Sequence, residues 1–88
     1  ALPAPAVDAR ASRYYEDALT RFERRDIAGA IVQLKNALQL ERGMLPAHLL
    51  LGRALLANGE FAAAEAAFAE ALALGVNRAE VVVPLAQA

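Results

Sequence analysis

Asp26-Ile27-Ala28-Gly29-Ala30 and Glu60-Phe61-Ala62-Ala63-Ala64 repeat one pattern: an acid, a large apolar residue, then small residues. The offset is 60 − 26 = 34. Carried along the chain, it maps Tyr14 onto His48, Ala18 onto Gly52, Leu34 onto Phe68, Ala37 onto Ala71, Leu38 onto Leu72 and Leu40 onto Leu74. Few of these pairs are identical, but size recurs where packing demands it. Self-similarity at a fixed period marks a stack of equivalent supersecondary units, none of which can bury its apolar face alone. The reading gives an Ala/Pro-rich N-terminal segment over 1–10, units over 11–44 and 45–78, and a partial third unit or terminal helix over 79–88.

Each unit reads as two helices with a short break. Phe61, Ala64, Phe68, Ala71 and Leu72 lie at +3, +7, +10 and +11, one apolar stripe at helical period. Ile27, Ala30, Ile31, Leu34 and Leu38 form the counterpart stripe in the first unit. In the helix expected over 46–57, Leu51, Gly52 and Leu55 share a face, and Pro46 is tolerable in its first turn. Asn58-Gly59 suits left-handed turn geometry and ends that helix. Gly75 is expected to stop the following one, with Asn77 and Glu80 spaced as a new helix-start cap.

Composition agrees. Alanine supplies 23 of the 88 residues, and it has the best intrinsic helix propensity. The fold class expected is therefore all-α, a solenoid of antiparallel helix pairs with about two and a third repeats. Two prolines keep Ala1-Leu2-Pro3-Ala4-Pro5-Ala6 out of helix, in the manner of a linker or the start of a mature exported chain. The chain opens on Ala rather than Met, so either a leader has been removed or it is a fragment of something longer.

The spacing His48-x2-Leu51-Gly52-x2-Leu55, followed by Ala64-x3-Phe68 and Ala71, resembles the tetratricopeptide repeat. Tyr14, Ala18, Ala30, Leu34 and Ala37 repeat it in the first unit. The small positions let two backbones approach, and Phe68 fills the wider gap beside them. The family's usual proline between units is absent, with Arg42 and Val76 in its place. Asp17 and Arg21 stand where the second unit has Leu51 and Leu55; an i, i+4 ion pair suits a first helix that no earlier repeat covers. By contrast, Val81-Val82-Val83-Pro84-Leu85 is apolar, an end without a polar cap, from which further repeats or self-association are expected.

A narrower resemblance lies in Ile31-Val32-Gln33-Leu34-Lys35-Asn36-Ala37-Leu38-Gln39 and Leu51-Gly52-Arg53-Ala54-Leu55-Leu56. Both are similar to repeats of TPR proteins that accompany exosortase (PEP-CTERM) sorting systems, which are exported bacterial proteins linked to exopolysaccharide production. That resemblance implies a periplasmic or exported setting, with a lipid anchor on a longer chain left open.

Chemistry is sparse. With no cysteine and one histidine, thiolate and imidazole metal sites and a Ser-His triad are all absent, and no catalytic, cofactor-binding or metal-binding residue is expected. A net charge of −1 argues against a nucleic-acid footprint, and Glu23 and Asp26 flank the short Arg24-Arg25 cluster. No window of about 18 residues lacks a charge or a break, so no membrane span is expected. Function must then come from a surface.

The first helix of each pair lines the concave side of such a stack, which nominates Tyr15, Leu19 and Phe22 with their +34 equivalents Leu49, Arg53 and Leu56 as a partner-binding groove. Core packing is the competing reading, and the stronger one for Leu19. The chain is expected to be a non-enzymatic scaffold for a protein or peptide partner, or else a structural spacer or self-association module. Tyr15, Leu19 and Leu49 occupy places where a clamp for a C-terminal carboxylate needs polar groups, so a chaperone-tail receptor is not expected.

Overall fold

The computed structural model describes residues 8–87, with side chains described for 8–76. Four helices follow one another: α1 (Ala9–Glu23), α2 (Ile27–Leu40), α3 (Leu45–Ala57) and α4 (Phe61–Gln87). No strand occurs among the described residues. α1 begins two residues before the boundary expected at residue 11, because Asp8 caps it by accepting from the Arg10 N–H at 2.9 Å. Asp26 caps α2 through the Gly29 N–H at 3.1 Å, and Pro46 sits in the first turn of α3. Most of the Ala/Pro-rich opening, residues 1–7, lies outside the described residues.

Successive helices pack as antiparallel neighbours: α1 on α2, α2 on α3, α3 on α4. α1 also touches α3, whereas α2 and α4 make no contact among the described residues. The stack is therefore tighter on the α1/α3 side. Ala18, Ala30, Leu34, Ala47, Ala54 and Ala64 are fully buried, joined by Ile31, Leu50, Leu55 and Ala67. Alanine buries little area, so the remaining space is filled by leucine, isoleucine and aromatic rings, one of them seated on a glycine.

That ring is Phe68. A Cβ placed on Gly52 would lie 2.6 Å from Phe68 Cε1, so the glycine is required by the ring resting on it. Phe68 is thus the nearest neighbour of Gly52.

The two helices of each unit are joined by the same turn. Asp26 N–H donates to Arg21 C=O at 2.8 Å and Arg25 N–H to Phe22 C=O at 3.0 Å; Glu60 donates to Leu55 at 2.9 Å and Gly59 to Leu56 at 3.0 Å. This is the Schellman pattern, with a left-handed residue after the helix. Gly59 has φ +80° as its position demands. Its equivalent, 34 residues earlier, is Arg25 at φ +68°.

Gly75 corrects one expectation: α4 runs through it to Gln87 instead of ending there. Gly75 adopts no positive φ, and a glycine inside a helix costs only about 1 kcal/mol relative to alanine, which the helix-favouring run Ala71-Leu72-Ala73-Leu74 can absorb. Asn77 accordingly lies within α4 and starts no new helix.

Candidate functional site

α1 presents Tyr15, Leu19 and Phe22 at i, i+4, i+7, and α3 presents Leu49, Arg53 and Leu56 at the same spacing. Tyr15 and Phe22 are half-buried against the core cluster. Leu19 is 37% exposed, so core burial, the stronger expectation for it, does not describe its position. Leu49 and Leu56 are 44% and 45% exposed, large values for leucines on a structured helix.

A cation–π contact links the two helices on this face. The Arg53 guanidinium carbon sits 5.2 Å from the centroid of the Phe22 ring, within range for a cation–π interaction. Beside it lies a hollow of about 380 Å³ lined by Leu19, Phe22, Glu23, Arg25, Ile27, Arg53 and Ala57. Of the six residues nominated from sequence, three border this hollow: Leu19, Phe22 and Arg53. Tyr15, Leu49 and Leu56 do not line it.

Glu23, Arg25, Ile27 and Ala57 also line the hollow and were not nominated, since Ile27 reads as core and Arg25 as part of a short basic cluster flanked by acids. The 34-residue shift contained the signal, since it sets Arg25 against Gly59.

On the outer flank of α1 the chemistry is polar. Arg21 Nε donates to Asp17 Oδ2 at 2.7 Å and Arg21 Nη1 to Asp26 Oδ2 at 2.8 Å, while Gln33 Nε2 donates to Asp17 Oδ2 at 2.7 Å. The i, i+4 pair expected for an uncovered first helix is thus formed. Hydrogen bonding from Arg21, then from Gln33, holds the Asp17 carboxyl below its ordinary range. Arg21 and then the Gly29 N–H do the same for Asp26. A hollow of about 320 Å³ lies on this flank, lined by Arg10, Arg13, Tyr14, Asp17 and Gln33.

His48, read from sequence as a packing residue, is half-buried, its Nε2 2.8 Å from the Arg42 carbonyl oxygen. Among the described residues no cluster of His, Cys, Asp or Glu could hold a metal ion. No described helix is long and apolar enough to cross a membrane.

The tetratricopeptide repeat family model matches residues 21–82, most of the chain. The chain belongs to the tetratricopeptide repeat family. Matching against curated proteins and against solved structures finds nothing further. Membership in a tetratricopeptide repeat family brings the general role of these repeats, protein–protein interaction on a non-enzymatic scaffold.

Proposed function

We propose that this chain presents the α1/α3 face as a partly apolar groove to a segment of a protein partner. Tyr15, Leu19, Phe22, Leu49, Arg53 and Leu56 are its contact residues. The observation that carries the reading is the 5.2 Å contact of Arg53 with Phe22, which links two helices from different repeats beside an open hollow. Exposed leucines next to a held cation are what recognition of a partner segment uses: apolar area supplies affinity and the charge fixes register. The substitution Arg53→Glu combined with Leu56→Ala tests this in a pulldown with the partner. Capture is lost while far-UV circular dichroism stays constant; retained capture rejects the groove.

The setting proposed is a bacterial envelope or exopolysaccharide-associated system, supported by the resemblance of the Gln33-Leu34-Lys35-Asn36-Ala37-Leu38 run to exported repeat proteins. Fractionating the source cells checks it, with recovery from the cytosol rejecting it.

A second reading, self-association, draws on α4. Phe61 and Leu72 are each 68% exposed and Val76 46%, all on one helical face. In the first unit the equivalent Ile27 and Leu38 are half-buried and packed against the core. Light scattering over a concentration series separates the readings, since mass that rises with concentration favours self-association and constant monomer mass rejects it.

A further inference from the structure

Arg25 occupies a backbone position that disfavours any side chain. Its φ of +68° lies in the left-handed region, where a Cβ crowds the carbonyl. The second unit solves the same turn with Gly59. The first unit instead keeps a long cation there, and that cation lines the hollow beside Arg53. Strain retained at a surface turn, where glycine would serve the fold better, directs attention to what the side chain does.

Charge around the hollow is unbalanced. Arg25 and Arg53 border it with Glu23 as the one acid. Neither arginine forms an ion pair among the described residues, although Arg10 and Arg21 both do. Asp26, the acid next in sequence to Arg25, is engaged by Arg21 and the Gly29 N–H. The remaining lining, Leu19, Phe22, Ile27 and Ala57, is apolar.

Resting on the groove reading above, we infer that Arg25 and Arg53 select an acidic partner segment, one that inserts a large apolar side chain into the hollow and sets flanking Asp or Glu carboxylates against the two guanidiniums. Arginine offers a planar fork of donors that matches a carboxylate, and paired N–H···O contacts fix orientation as well as sign. A peptide fits better than a nucleic acid, because the one aromatic ring lining the hollow, Phe22, already carries the Arg53 guanidinium over its face, and Leu19, Ile27 and Ala57 offer bases little stacking surface.

The test uses arrays of short peptides carrying Phe or Leu flanked by Asp/Glu, by Ser/Asn or by Lys/Arg, probed with the full chain. Capture is expected to concentrate on the acidic set and to weaken with added salt. Arg25→Gly, which relieves the turn and keeps the fold, and Arg53→Gln are each expected to weaken the best acidic peptide by roughly tenfold. Equal capture of neutral or basic sets, unchanged affinity in Arg25→Gly, or displacement of the peptide by a single-stranded oligonucleotide overturns the proposal. Leu49→Ala with Leu56→Ala separates it from the wider groove. Acidic capture that survives this pair but is lost in Arg25→Gly supports the arginine pair and rejects the extended groove; failure of all three sets to bind rejects both.

Discussion

The two helix pairs solve one packing problem with different side chains. Where the first unit sets Ala18 and Leu34, the second sets Gly52 and Phe68. A larger ring is accommodated by removing a methyl group from the facing helix. The 2.6 Å that would separate a Gly52 Cβ from Phe68 Cε1 measures how completely that space is used. At the turn the trade runs the other way, with Gly59 in the second unit relaxed and Arg25 in the first strained. The outer flanks differ too: Asp17 and Arg21 form a hydrated ion pair where Leu51 and Leu55 meet the core. Volume is conserved between the repeats where they pack, while charge and strain diverge where they meet solvent.

The largest expected effect lies in the cores. Phe68→Ala empties the space above Gly52 and costs about 3 kcal/mol, the low end for a phenylalanine because the ring keeps some exposure. Leu34→Ala costs about 2–4 kcal/mol at the fully buried equivalent position. Either loss is a large fraction of the stability of so small a domain, and urea denaturation measures both. A loss confined to one unit would break the picture of a shared core.

The turns come next. Arg25→Gly is expected to stabilise by about 1 kcal/mol and Gly59→Ala to destabilise by a similar amount, opposite signs at equivalent positions. Equal signs in the urea midpoints would remove the contrast between a strained and a relaxed turn.

The smallest effect concerns acid. Asp17 and Asp26 have carboxyls depressed in the folded chain by Arg21. Their contribution is therefore present above the ordinary aspartate value of about 4 and lost as pH falls from there through the folded values. Both partners are exposed, so the effect is small and salt-sensitive. Amide protection factors in α1, taken relative to the intrinsic exchange rate at each pH, should fall below that pH before those in α3, where Leu51 and Leu55 replace the pair; simultaneous loss of protection contradicts the assignment.

Much of the fold was legible because helix packing leaves a size pattern in sequence. Ala18, Gly52, Ala30 and Ala64 are small and buried, with Leu34 and Phe68 as the large side chains packed among them. The Asp17–Arg21 pair was legible for the same reason, as an i, i+4 match on a face with nothing to cover it. Gly75 misled because glycine ends a helix only when its left-handed freedom is used, and local sequence alone does not say whether it is. Arg25 escaped because strain resides in a backbone angle that residue type signals only through the 34-residue comparison. The Arg53–Phe22 contact joins side chains from different repeats, a separation that no local pattern encodes.

The central claim, that the two units share one packing geometry with exchanged side-chain volumes, is tested most directly by the double-mutant cycle of Gly52→Ala and Phe68→Leu, which rebuilds the first unit's Ala18/Leu34 pair inside the second. Each single change is expected to cost about 1–3 kcal/mol, one by overpacking and one by leaving a void. Together they should cost less than their sum by about 1 kcal/mol or more. Costs that add to within about 0.5 kcal/mol would contradict the account.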